Sequence, residues 1–331
     1  MGGAGRERAR SVWRMTVLIR DLRPDDLQDV ESVVRVRRAA LPFLITCAGD
    51  VTFELACAHP AKHHRVLVAE TPDGEVLGTA QAGIAHDSPR PGQGYVNAYV
   101  DPARRGLGAG RLLLRTAEEH LAARGAVDSY AWVLDEPAHR VFAERHGYRP
   151  GRSAHFLRLD LTAAELPALP EALPAGVELL PAEAFAADPR PLFAIDAEAT
   201  ADEPSDVGAD LDDYTDWLNH TWHHPSLDKE LTIVALVDGR AVAFSAARTD
   251  GATRYGSAMT GTLRAFRGRG LAKLAKNASL HRARAAGYTE AFTGNDSGNE
   301  PMLAINRWFG YGICATETHF TRRLGTQWPS N

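Results

Sequence analysis

The sequence predicts a mixed α/β protein built from two similar domains in tandem, and three observations support this. A glycine-arginine motif occurs twice, as Arg105-Gly106-Leu107-Gly108-Ala109-Gly110 and as Arg267-Gly268-Arg269-Gly270-Leu271-Ala272, 162 residues apart. An Ala-rich apolar segment follows each copy and ends on a glycine, Gly125 and Gly287, again 162 apart. Each copy closes on a Gly-aromatic pair, Gly147-Tyr148 and Gly310-Tyr311, offset by 163. Landmarks at so constant a spacing mark a duplicated domain, not a short solenoid repeat. The length of 331 residues also favours two domains.

Along the chain, residues 1–14 are rich in Arg and Gly and read as a disordered arm, or as the product of an upstream start with the natural start at Met15. The first domain is expected over 15–162, a Pro/Ala-rich linker over 163–176 and the second domain over 177–326. Pro167, Pro170 and Pro174 stiffen the linker. Val66–Glu70 and Val76–Gln81 read as strands around a turn at Pro72-Asp73-Gly74, and Leu231–Val237 and Ala241–Ala246 repeat this around Asp238-Gly239. Val177-Glu178-Leu179-Leu180 resembles Val17-Leu18-Ile19-Arg20 at the head of the first copy. After the second motif, Leu271, Leu274, Ala275 and Ala278 form one apolar helical stripe, and Gly287 lies where a left-handed cap belongs. Ser129–Leu134 and Thr289–Thr293 read as the next strands.

Composition narrows the function. A formal net charge of −5 and a pI near 6.2 argue against a nucleic-acid partner. Cys47, Cys57 and Cys314 form no closed disulfide set and no zinc spacing, so a reducing, cytoplasmic setting is expected. No apolar run reaches membrane-spanning length.

A strand enters each glycine motif and a helix leaves it. The helix N-terminus offers unpaired N–H groups and a positive partial charge, and glycine lets the backbone approach an anion. This is a phosphate site, with Arg104, Arg105, Arg267 and Arg269 adding charge. Neither copy has the Gly-Lys-Ser/Thr ending of a P-loop, and Arg111 and Lys273 break the dinucleotide pattern.

The spacing Arg-x-x-Gly-x-Gly/Ala resembles the pyrophosphate loop of the GNAT superfamily, the GCN5-related N-acetyltransferases, and the resemblance covers nearly the whole chain, once per half. It implies two tandem GNAT folds, each a twisted mixed sheet flanked by helices and each with a sheet of its own. It also implies coenzyme A bound at Thr262, Leu263, Arg267, Gly268, Arg269, Gly270, Leu271, Ala272 and Asn299, and in the first half at Val100, Arg105, Gly106, Leu107, Gly108, Ala109 and Gly110. Superfamily members read Asn, a Tyr seven positions on, then a Gly-aromatic pair. The Asn contacts the coenzyme and the Tyr protonates the leaving thiolate. The second half has Asn299 and Asn306 there, whereas the first has Glu136 and Ala143. The resemblance therefore implies chemistry in the second half, with the first binding coenzyme A without turnover or serving structure alone. An Asn cannot protonate a thiolate, so Tyr311, Cys314 or water are the candidates for that step.

The expected reaction is acetyl-CoA-dependent, metal-free acyl transfer, other than aminoacyl transfer, to the amine of a small molecule, by a monomer or a homodimer. Nine carboxylates from Asp196 to Asp216, within a stretch from Arg190 to Lys229 that has no Lys or Arg inside it, suit a cationic acceptor. Asp202 and Glu203, beside Pro204, are the base candidates. His59, His63 and His64, and His220, His223 and His224, form two clusters. His59 and His63 at i, i+4 would share a helix face if they bound a metal. The alternatives are a non-catalytic acyl-CoA sensor, a transferase drawing on charged tRNA, and an acyltransferase similar to mycothiol synthase, itself a tandem member.

Overall fold

The structure, a computed structural model, describes residues 16–88, 90–202 and 211–325. The N-terminal arm and Glu203 lie outside the described residues. The first half runs β1 (Leu18–Asp21), α1 (Leu27–Ala40), α2 (Ala48–Ala56), β2 (Arg65–Glu70), β3 (Val76–Ile84), β4 (Gln93–Val100), α3 (Ala109–Ala123), β5 (Asp128–Leu134), α4 (Pro137–Arg145) and β6 (Arg149–Asp160). The second runs β7 (Val177–Pro181), α5 (Arg190–Thr200), α6 (Tyr214–Trp217), β8 (Ile233–Val237), β9 (Arg240–Thr249), β10 (Arg254–Thr262), α7 (Leu271–Ala285), β11 (Glu290–Asp296), α8 (Glu300–Trp308) and β12 (Gly312–Arg323).

Local chemistry sets these boundaries. Asp26 caps α1 by accepting hydrogen bonds from the backbone N–H groups of Gln28 and Asp29. Helix α1 buries Val30, Val33 and Val34 against the sheet, and α3 buries Leu113, Leu114, Ala117 and Leu121. Asp238 and Gly239 both take positive φ, which closes the tight β8–β9 hairpin. Gly287 ends α7 at φ 93°. The expected stripe on α7 is rotated: Leu271 and Ala275 are buried, but Lys276, Ser279, Leu280 and Ala283 complete the inner face, while Leu274 and Ala278 are half-buried.

The expectation of a separate sheet in each half needs correction. The strands form one 12-stranded sheet in the order β1-β2-β3-β4-β5-β12-β6-β11-β10-β9-β8-β7. The two long terminal strands are exchanged. β12 of the second half pairs with β5 over Asp128–Leu134, and β6 of the first half pairs with β11 over Glu290–Asp296. β6 and β12 then pair antiparallel with each other at the centre. Each exchanged strand covers the edge of the other half's β5 or β11, an edge that its own half's terminal strand could equally have covered. A buried ion pair fixes β12 in place: Arg322 donates to Glu118 of α3 at 2.5 Å, and both side chains are 4% exposed. The segment between β6 and β7 is held too, because the carbonyl of Pro167 accepts from Asn277 Nδ2 at 3.1 Å and pairs with His281 Nε2 at 2.9 Å.

Candidate active site

In the first half, β4 and β5 pair in parallel only at Gln93–Asp128, Gly94–Ser129 and Tyr95–Tyr130, and then diverge. Asn97 bridges the opening, its Oδ1 accepting from the N–H of Trp132 at 3.2 Å. A cavity of about 460 Å³ fills the wedge between the strands, the glycine loop, α3 and α4. Val100, Arg105, Gly106, Leu107, Gly108, Ala109 and Gly110 all line it. Gly108 caps α3 at φ 89°, a conformation that costs other L-residues strain, and a Cβ there would meet nothing within 4 Å. The mouth of the loop is therefore open to a large anion. Arg105 forms no ion pair among the described residues, while Arg104 is engaged by Glu75 at 2.5 Å.

The second half has the same loop with different surroundings. β10 and β11 pair in parallel from Arg254–Glu290 to Ser257–Thr293, and β10 carries a bulge between Ser257 and Thr260. Thr262 ends the strand, Leu263 is buried beyond it, and Gly270 caps α7 at φ 73°. Gly268, Arg269, Leu271 and Ala272 occupy the turn and the first helical residues. Arg267 is not open to a ligand in the way Arg105 is. Its Nη2 donates to Asp202 at 2.6 Å and its Nε to the carbonyl of Thr262 at 3.1 Å.

The interiors behind the two loops differ more. Leu114 and Ala143 line the first cavity. The residues 162 and 163 positions later are Lys276 and Asn306. Lys276 Nζ donates to Asn306 Oδ1 at 2.6 Å, and Asn306 Nδ2 donates to Asn295 Oδ1 at 2.6 Å. Both side chains are fully buried, so polar groups stand in the second half where the first has apolar ones. Burial pushes the Lys276 amine down to about 7.

The other expected site residues are scattered. Asn299 caps α8, accepting from the N–H of Met302 at 3.3 Å. Tyr311 lies in the core beside Leu303 and Phe309, and burial pushes its hydroxyl well above the ordinary tyrosine value. Cys314 is exposed. Asp202 is bound by Arg264 and Arg267, whose hydrogen bonds hold its carboxyl down at about 2. A carboxylate so stabilised is a weak base. Among the described residues of the acidic stretch, Asp196 accepts from Trp217 Nε1, Glu198 from the backbone N–H of Arg264, and Asp216 contacts His220. His59 and His63 do not share a helix face. They flank a single turn, Pro60–Lys62, with His63 at φ 43°. No group of three or more metal-ligating side chains stands together among the described residues. Trp217 and Trp222 are core, whereas Trp308 is 48% exposed beneath the Lys273 ammonium.

One cavity residue was not anticipated. Glu317, on the exchanged strand β12, is 7% exposed and lines the first-half cavity, and burial pushes its carboxyl up to about 7. Nothing in its sequence neighbourhood distinguishes it from other strand carboxylates.

The acetyltransferase (GNAT) family model matches residues 33–148 and again 193–311, which together make up most of the chain. The chain belongs to the GNAT acetyltransferase family. Among its relatives, a mycothiol acetyltransferase of Nocardia farcinica is 34% identical over 238 residues, covering 69% of this chain and 74% of the relative. One from Clavibacter michiganensis is 29% identical over 266 residues, covering 78% and 80%. In fold, the chain is similar to a tandem GNAT protein from the clavulanic acid biosynthesis pathway, with a TM-score of 0.71 at 20% identity over 96% of this chain and 100% of that one. A GCN5-related N-acetyltransferase from Sphaerobacter thermophilus gives 0.68 at 21% identity over 95% and 97%. The protein is thus a GNAT acetyltransferase of tandem architecture. No helix among the described residues is long and apolar enough to cross a membrane.

Proposed function

We propose that this chain transfers the acetyl group of acetyl-CoA to the amine of a small molecule, and that the thioester lies in the first-half cavity. The observation that carries this reading is the wedge between β4 and β5, which leads from the open loop at Arg105–Gly108 to Glu317. The N-terminus of α3 and Arg105 would hold the diphosphate. The diverging strands would hold the pantetheine arm with their unpaired backbone groups. Glu317 has no ion pair or hydrogen bond among the described residues, and an unpaired buried carboxylate suits an acceptor that arrives as an ammonium ion. The relatives named mycothiol acetyltransferase support acetyl transfer to a small molecule, and an acceptor of that kind is the nearest alternative within the same chemistry.

A second reading keeps the chemistry in the second half, where Asn299 matches the superfamily pattern and Asn306 stands in place of its Tyr. The buried Lys276 ammonium beside Asn306 favours it, because it could supply the proton that an Asn cannot.

The test of the activity is incubation with acetyl-CoA carrying a 13C-labelled acetyl group and a mixture of small-molecule amines, followed by thiol assay and product mass. Thiol release with a labelled acetamide is expected. Tight acetyl-CoA binding without turnover on any amine would favour the sensor reading instead.

A further inference from the structure

We infer that Glu317, carried into the first half on the exchanged strand β12, is the general base of acetyl transfer there. The inference rests on the reading that acetyl-CoA occupies the first-half cavity. Three observations place Glu317 at the reacting end. It sits opposite Leu134, the last residue of β5, where the two parallel strands have already separated. It lines the same cavity as Tyr99 and Val100 of β4, so it faces the wedge from the side opposite the β4 backbone. Its side chain is largely buried, and its carboxylate, which has no hydrogen-bond or ion-pair partner among the described residues, is left to face the cavity. Burial alone raises its carboxyl, and Tyr99 is the titratable neighbour on the cavity wall whose hydroxyl feels its charge.

The exchange makes the two halves unequal. The residue 163 positions before Glu317 is Ala154, which pairs directly with it across the β6–β12 centre. The strand donated to the second half therefore offers a methyl group where the strand donated to the first offers a carboxylate. A protein truncated before β12 would retain the glycine loop and lose the base.

In the step itself, the Glu317 carboxylate takes one proton from the acceptor ammonium. The freed nitrogen lone pair forms a bond to the thioester carbonyl carbon, and the C–S bond breaks with its electron pair leaving on sulfur. A second proton passes from nitrogen to the thiolate, which gives the amide, the CoA thiol and a protonated Glu317. The carboxyl then returns its proton to water.

Water and hydroxylamine serve as acceptors that need no knowledge of the natural substrate. Water must be deprotonated to attack, whereas hydroxylamine attacks as a neutral molecule at about pH 7. Thiol release from acetyl-CoA is measured with each, in wild type, Glu317→Gln and Glu317→Asp. The ratio of hydrolysis to hydroxylaminolysis is expected to fall at least about tenfold in Glu317→Gln and to recover in part in Glu317→Asp. A merely structural role would lower both rates together and leave the ratio unchanged, which would overturn the assignment. So would a wild-type protein that binds acetyl-CoA and hydrolyses none of it. Calorimetry with the loop variant Gly108→Asp separates the two levels. If that variant keeps wild-type affinity for acetyl-CoA, the cavity reading itself fails. If it loses affinity while the Glu317→Gln ratio is unchanged, only the role of Glu317 fails.

Discussion

Lys276 Nζ donates a 2.6 Å hydrogen bond to Asn306 Oδ1 inside the second half, at the two positions where the first half has Leu114 and Ala143 lining its cavity. The duplicated fold thus holds an open wedge in the first half and, at the positions that match its inner wall, a buried ammonium with an amide acceptor but no carboxylate. Burying an ammonium without a counter-charge opposes folding, so the pair has consequences for stability as well as for function.

The first concerns pH. Burial depresses the folded-state Lys276 value from 10.5 to about 7. The associated stability is complete above the unfolded value and is lost as pH falls toward the folded one. Wild type is therefore expected to gain stability relative to Lys276→Met between about pH 7 and pH 10. Urea denaturation of both proteins at several pH values checks this, and parallel profiles would show an ordinary, solvated lysine.

Asp202 gives the second. Its carboxylate is held at about 2 by Arg264 and Arg267, so it is already saturated with donors. Asp202→Asn should change thiol release by less than about threefold. A loss of tenfold or more would return Asp202 to the role of base that its place beside Pro204 suggests.

The sequence carries the local structure well and the long-range pairing poorly. Runs such as Val66–Glu70 and Ser129–Leu134 lie within β2 and β5 because alternation and turn residues are local signals. The constant offset of the glycine motifs likewise discloses the duplication. The exchange of β6 and β12 leaves no such mark, since it is a choice between two equally compatible edges. Glu317 escaped for the same reason: its role depends on which half its strand joins. Lys276 was legible in principle. It stands where the repeat has Leu114, and a charged residue at a core position of one copy is a signal that comparing the copies residue by residue would find.

A third outcome follows from the lock on β12. Arg322 and Glu118 are each 4% exposed and 2.5 Å apart, and Glu118 Oε1 also accepts from the Tyr148 hydroxyl. Arg322→Met leaves the buried Glu118 carboxylate without a counter-charge and is expected to cost about 3–5 kcal/mol. Replacing both Arg322 and Glu118 by Met should recover most of that loss. Guanidinium denaturation of the two variants decides it, and equal destabilisation in both would mean that the charge pair is not what holds the strand.

The placement of the coenzyme is tested most directly by calorimetric titration of CoA into Gly108→Asp and Gly270→Asp. Asp tolerates the left-handed conformation better than most residues, and each change puts a negative charge at the mouth of one loop, so the two variants differ only in which half is blocked. With the coenzyme in the first-half cavity, Gly108→Asp should weaken binding by at least about tenfold, roughly 1.4 kcal/mol, while Gly270→Asp stays within about threefold of wild type. Loss of binding in Gly270→Asp with unchanged binding in Gly108→Asp would place the coenzyme in the second half and contradict the proposal.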